Sequence, residues 1–197
     1  MDKTTRSSNT IWHHATVSRI RRERLHKHKS VIILFTGLSE SGKSTLAYAV
    51  EEYLHNHGIS TLVLNGDSLR HGLCRDLSFS EHDRVENIRR ISEVAKLIID
   101  AGIITLAGFI DRNVARNLVP YGDFLEIHCK VSVDVSEQRY FKELYKKNNV
   151  PGIPYFTDID SPYAAPENPE LEIDIHSQSL EQCVLCVINF LKKNDII

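Results

Sequence analysis

Cysteine is too sparse in this chain to build a scaffold. The four present, Cys74, Cys129, Cys183 and Cys186, supply neither a disulfide framework nor the paired clusters of a zinc site. Cys183 and Cys186 form one isolated C-x-x-C, but it lies in the apolar run CVLCVINFL, where packing of a terminal helix accounts for it. Histidine is no more committed. His26 with His28, and His55 with His57, are i,i+2 pairs in polar surroundings, and on a helix such pairs do not share a face. Long apolar runs are missing too, so no segment reaches the length of a membrane span. No secretory signal opens the chain, and Asp2 and Glu23 argue against a transit peptide, a segment type that avoids acids. A net charge of −2 excludes a global field that would draw the protein to nucleic acid or a membrane surface. Without internal repeats or a low-complexity linker, the expectation is one reduced, cytoplasmic domain.

What is there suits a globular α/β chain: 197 residues, 42% hydrophobic and 25% charged. The organising stretch is VIILFTGLSESGKST. Its apolar β-branched start, Val31–Phe35, is short and lacks helical periodicity, which predicts a buried strand. Directly after Thr45 a helix-favouring run begins with Leu46 and Ala47. Between the two, Gly37, Gly42, Lys43 and Ser44 fit G-x-x-x-x-G-K-[ST], the phosphate-binding loop. Glycine lets the backbone curl until several N–H groups face inward at a helix N-terminus, which is an anion site. Lys43 would reach the β- and γ-phosphates of ATP, and the Ser44 hydroxyl would complete the shell of Mg²⁺.

Around this loop the chain alternates strand and helix. Ser60–Leu64, Ile103–Ile110, Phe124–Val131 and Leu171–Ile175 are further predicted strands; Glu81–Ala101, Val133–Lys147 and Ser179–Lys193 are predicted helices. Before them, residues 1–10 are polar and without periodicity. Trp12 to Lys29 is rich in arginine and lysine, a solvated helix or a basic arm for an anionic ligand or partner subunit. The second strand ends in Asn65-Gly66-Asp67, at the strand end where open α/β sheets bind ligands. Asp67 is either a base for a substrate hydroxyl, a group behind Mg²⁺, or part of a plain N-G-D turn. Arg70 and Arg75 follow in a cation-dense loop with Phe79, and Arg84 and Asn87 share a face of the next helix at i,i+3. Arginine forks suit phosphate or sulfate oxygens, and an aromatic ring suits a base. Asp111, at the end of the third strand, is either a Mg²⁺-directed carboxylate of Walker-B type or the N-cap of Arg112–Leu118. The long Pro-rich stretch Asn148–Pro169 is predicted to be a lid, which a phosphoryl-transfer enzyme needs to keep water from the γ-phosphate.

Several stretches together resemble one family, adenylyl-sulfate kinase (APS kinase). They are WHHATVSRIRRERLHKHK, FTGLSESGKST, NGDSLRHGLCRDLSFSEHDRVENIRRISEVAKLIIDAG, ELYKK and YFTDIDSPY with the AP that follows, spanning Trp12 to Glu170. The resemblance implies a three-layer P-loop kinase fold with a five-stranded parallel sheet and helices on both faces. Residues 1–29 would be a basic arm and 30–197 the kinase domain, with a lid at about 140–170. It implies ATP·Mg²⁺-dependent phosphorylation of the 3′-hydroxyl of adenylyl sulfate, giving 3′-phosphoadenylyl sulfate for sulfate activation, in a cytoplasmic homodimer that binds neither nucleic acid nor membrane. By this resemblance Arg70, Phe79, Arg84, Asn87, Lys146 and Phe156 bind the acceptor, with Phe79 and Phe156 sandwiching its adenine. Gly37, Leu38, Ser39, Glu40, Ser41, Gly42, Lys43, Ser44, Thr45 and Arg139 bind ATP, Ser44 is the metal ligand, and Lys43, Asp67 and Asp111 are catalytic.

The departures from the family pattern are specific. Asn65 replaces the first acid of D-G-D, Glu40 replaces a phosphate-loop glycine, and Asp111 stands where serine is usual. The lid reads RYFKELYKKNN from Arg139 and loses an arginine, Asp158 takes a glycine position, and Ala164 takes a glutamate position. Two alternatives therefore stay open beside the kinase of adenylyl sulfate: a kinase of another nucleotide, and a non-catalytic nucleotide-binding relative.

Overall fold

The structure is a computed structural model that describes residues 16–38, 41–78, 80–108, 123–131 and 165–197, with the backbone alone for Asp67 and Glu81. Five strands form its centre: β1 (Ile32–Thr36), β2 (Thr61–Asn65), β3 (Ile104–Gly108), β4 (Phe124–Lys130) and β5 (Leu171–Asp174). They make one sheet in the order β2-β3-β1-β4-β5, and every neighbouring pair is parallel. The strand expectations hold within a residue or two, and the C-terminal part of Ile103–Ile110 lies outside the described residues. β1 is buried along its whole length because β3 and β4 flank it and helices cover both faces. That is why it is an unbroken apolar run rather than an alternating one.

Successive β1 side chains point to opposite faces and so nucleate two separate cores. Ile33 and Phe35 meet α2 (Lys43–Asn56) and the C-terminal helix α5 (Leu180–Lys193) through Leu46, Val50, Val187 and Leu191. Ile32 and Leu34 meet α4 (Glu81–Asp100) through Ile88, Ile91 and Ala95. Each such fully buried aliphatic side chain contributes about 1.5–3 kcal/mol. Ser80 caps α4 by accepting the Asp83 N–H, and Ser179 with Gln182 forms a reciprocal capping box on α5. Cys183 packs in the first core and Cys186 is half-buried; both are free thiols, as the isolated C-x-x-C suggested.

Two expectations need correction. The Asn65-Gly66-Asp67 segment is not a plain turn: Gly66 begins a short helix, α3 (Gly66–Arg70), so Asp67 lies in its first turn. His28 is buried rather than solvated, although the groups around it are polar. It is 7% exposed, with Nδ1 against the Lys29 carbonyl at 2.9 Å and Nε2 accepting the Ser60 N–H at 3.1 Å. Polar neighbours in sequence hid it, because the group that accommodates it comes from the start of β2. The basic segment contains α1 (Arg19–His26), and part of its charge is used within the chain. Arg19 pairs with Asp123 at 2.7 Å, Arg22 with Asp100 at 2.7 Å, and Glu23 accepts the Ser30 N–H and hydroxyl.

The register places the ligand-binding edge. Phe35 is level with Gly108, and Gly108 with Asn65, so β1 and β2 close level with each other across β3. The chain crosses from one side of β1 to the other between β3 and β4, and crevices of open α/β sheets form at such switch points.

Candidate active site

At the end of β1 the backbone turns sharply through Gly37. Its φ is +146°, and a Cβ there would stand 2.5 Å from the Cys129 carbonyl oxygen and 2.9 Å from Ser41 Oγ. Only glycine lets the loop pass β4 this closely. Gly42 is the N-cap of α2 in the left-handed region, with φ +91° and no side-chain hydrogen bond to the helix end. The first turn of α2 therefore presents its N–H groups as an anion site with the positive end of the helix dipole behind them. Lys43 Nζ folds back over the loop, donating to the carbonyls of Gly37, at 2.9 Å, and Leu38. Ser41 is buried beneath it, and Ser44 and Thr45 are exposed on the first turn. This is a cradle whose chemistry suits phosphate oxygens, with a hydroxyl at hand for a divalent cation.

On the neighbouring edge, β2 delivers α3 and then the loop to α4. Asn65 donates from Nδ2 to the Tyr48 hydroxyl of α2 at 3.1 Å. Arg70 closes α3, and its Nη1 donates to the Ser78 carbonyl at 3.3 Å, which ties it to the segment that caps α4. Arg84 and Asn87 stand one turn apart on α4, half-buried and buried respectively. Asn87 is 7% exposed, and its Oδ1 has no hydrogen-bond partner among the described residues. A buried amide oxygen left so is costly unless something else satisfies it. The structure thus places Arg70 at the end of α3 and Arg84 with Asn87 near the start of α4, on either side of the α3–α4 loop.

Ser39, Glu40, Phe79, Asp111, Arg139, Lys146 and Phe156, and with them the expected lid, lie outside the described residues. Among the described residues no group of three or more His, Cys, Asp or Glu side chains could hold a metal. One part of the site escaped sequence reasoning. A cavity of about 230 Å³ opens beside the cradle, lined by Gly42, Thr45, Ile175, Gln178, Leu180 and Cys183. Ile175 follows β5, and its side chain lies 3.4 Å from where a Gly42 Cβ would be. The usable signal was position, since residues just past a parallel strand line ligand crevices. Burial pushes the thiols of this face up: Cys183 is raised, and Cys129 reaches about 12.

The comparisons with known proteins bear on this arrangement directly. The family model described as adenylylsulphate kinase matches residues 29–174. The adenylyl-sulfate kinase of Acaryochloris marina is 52% identical over 197 residues, covering 98% of this chain and 96% of its own. This chain belongs to the adenylylsulphate kinase family. The adenylyl-sulfate kinase of Prochlorococcus marinus is 53% identical, with 95% and 96% covered. In structure, the Mycobacterium tuberculosis APS kinase solved in complex with AMPPNP and APS superposes with a TM-score of 0.74 at 41% identity. That match covers 84% of this chain and 99% of the other. The P-loop kinase fold expected from the adenylyl-sulfate kinase resemblance, with its five-stranded parallel sheet, is therefore borne out.

Proposed function

We propose that this chain transfers the γ-phosphoryl group of ATP to the 3′-hydroxyl of adenylyl sulfate. The observation that carries this reading is that β1 and β2 close level with each other across β3. With strands about 4.8 Å apart, the phosphate cradle and the first turn of α3 begin about 10 Å from one another. That span suits a donor phosphate held at Gly37–Thr45 and an acceptor alcohol held from the α3–α4 side.

The donor phosphates displace the Gly37 and Leu38 carbonyls from Lys43, whose ammonium then follows the charge as it shifts during in-line transfer. Bound Mg²⁺, with Ser44 as its protein ligand, supplies further neutralisation of the phosphate oxygens. The cavity past Gly42 takes the nucleoside of ATP, with Arg139 as a further contact from the segment matching the lid. Asp67 orients or deprotonates the 3′-hydroxyl, Arg70 and Arg84 face the anionic phosphosulfate, and Asn87 Oδ1 accepts from the acceptor nucleotide. Phe79, Lys146 and Phe156 complete the acceptor site, and Asp111 acts on Mg²⁺. Residues 30–197 form the kinase domain and 1–29 its arm.

A cytoplasmic homodimer is the form we assign. Free thiols at all four cysteines support the compartment. Exposed Ile20, Leu25 and Leu97 on the adjoining helices α1 and α4 support a partner. Light scattering at micromolar concentration reads the mass directly, and a monomer would remove that assignment. No helix among the described residues is long and apolar enough to cross a membrane.

The activity is tested by incubating the protein with ATP·Mg²⁺ and a panel of nucleotides while following ADP. Product with adenylyl sulfate alone supports the reading. Product with a different acceptor reassigns the substrate, and ATP binding without turnover on any acceptor removes the activity.

A further inference from the structure

The two halves of the acceptor site, Arg70 on α3 and Arg84 with Asn87 on α4, are separated by the loop from His71 to Ser80. Its apolar side is anchored: Cys74 is 1% exposed and, with Leu69 and Leu77, packs into the core under α4. Its polar side is held by two side chains of α4 that reach back over it. Arg90 uses three of its nitrogens on this task. Nη1 and Nη2 grip the Asp76 carboxylate as a fork at 2.6 and 2.8 Å, and Nη1 also donates to the Leu73 carbonyl at 3.0 Å. Nε donates to Glu86 at 2.9 Å, which fixes the guanidinium plane from its own helix. One turn before Glu86's end of the helix, Asp83 accepts both the Ser78 N–H, at 2.9 Å, and the Ser78 hydroxyl through the same Oδ2. Ser78 is the residue whose carbonyl receives Arg70 Nη1.

Solvent-exposed ion pairs of this kind contribute little to global stability. Asp76 is 57% exposed and Arg90 25% exposed, so folding alone does not explain why so many donors and acceptors converge here. What the contacts do fix is geometry. A bidentate guanidinium–carboxylate pair permits one relative orientation, unlike a point charge. Ser78, held in its turn by Asp83, accepts from Arg70.

We infer that Asp83 and Arg90 are positioning residues for the acceptor nucleotide: they lock the α3–α4 loop so that Arg70 meets the same ligand as Arg84 and Asn87. This rests on the adenylyl-sulfate reading above. The hydrogen bonds from Ser78 also hold the Asp83 carboxyl down at about 2, and those from Arg89 and Arg90 hold Glu86 at about 2, so both clasps stay charged across the working range.

The test uses the full chain and three variants, Asp83→Ala, Asp83→Asn and Arg90→Lys. Steady-state ADP release is measured with each substrate varied, adenylyl sulfate binding is measured by calorimetry, and thermal melting is recorded for each protein. Misplacing one positioning group by about an ångström costs up to about a hundredfold, so KM for adenylyl sulfate should rise about tenfold or more in Asp83→Ala and Arg90→Lys. KM for ATP and the melting temperature should stay put. Asp83→Asn keeps an oxygen for Ser78 and should recover most of the affinity. An unchanged KM for adenylyl sulfate, an equal rise for both substrates, or an Asp83→Asn protein as weak as Asp83→Ala overturns the proposal. If the unsubstituted chain binds adenylyl sulfate without turnover, the activity reading fails, while the dissociation constants of the same variants still decide the positioning role. If it does not bind adenylyl sulfate at all, both fall together.

Discussion

At the start of α2 the polar groups on offer are main-chain N–H donors placed by Gly37 and Gly42, whereas in the α3–α4 loop side chains are placed by other side chains. The cradle needs little beyond a strand, a helix and the absence of two β-carbons. The α3–α4 loop depends on the chemistry of each member. Arg70 is positioned through Ser78, Ser78 through Asp83, and the loop backbone through Arg90. A backbone-built site tolerates substitution except at its glycines and its lysine; a side-chain-built site transmits every change along its chain of contacts.

That contrast can be broken at several points. The largest effect belongs to Lys43→Ala, which should lower turnover by at least about a hundredfold with adenylyl sulfate affinity retained, because the lost ammonium acts on the transferring phosphate. An unchanged rate in a coupled ADP-release assay would remove Lys43 from the chemistry. Next comes Gly37→Ala. Its φ of +146° and the 2.5 Å approach to the Cys129 carbonyl make the methyl group cost about 2–3 kcal/mol, read as a lowered urea midpoint together with weakened ATP binding. An alanine tolerated there would mean that the cradle is more pliable than a backbone-built site should be.

Two smaller effects lie away from both regions and serve as controls. Burial lowers the His28 pKa, the neutral ring accepting from Ser60. Since the folded pKa is depressed, the unfolded chain binds the proton more readily. Stability should be full above about pH 6.5 and decline as pH falls below it, by at most about 1.4 kcal/mol per unit. A His28→Asn protein should lose this part of the slope in melts at pH 7.5 and 5.5. The smallest change is favourable. Thr105 is wholly buried, and its hydroxyl has no partner among the described residues. Thr105→Val removes that unpaired group and should raise stability by about 1 kcal/mol, a rise of about 2–4 °C in Tm, with both KM values unchanged. A lowered Tm would show that the hydroxyl is satisfied after all.

Much of the donor half was legible because its determinants are contiguous. The strand, the glycines, Lys43 and Ser44 occupy one stretch, and strand-loop-helix order alone sets where the amides point. Arg84 and Asn87 were legible on α4 for a similar reason, a fixed i,i+3 period. The cavity wall from Ile175 to Cys183 was not, since it joins Gly42 only when β5 takes its place beside β4. Nor was the clasp of Asp83 and Arg90, because in a linear reading these look like the ordinary charges of a solvated helix face.

By itself, then, the order of residues determined the five strands, the phosphate cradle and the family to which the chain belongs, all of them local or periodic patterns. The tertiary structure alone decided the sheet order that brings the ends of β1 and β2 level, the burial of His28 against Ser60, and the side chains that hold the α3–α4 loop. The physical reason is range. Backbone curvature and amphipathic period are set by neighbours a few residues away, while hydrogen-bond partners across a loop or sheet exist only after the chain has closed and made them neighbours.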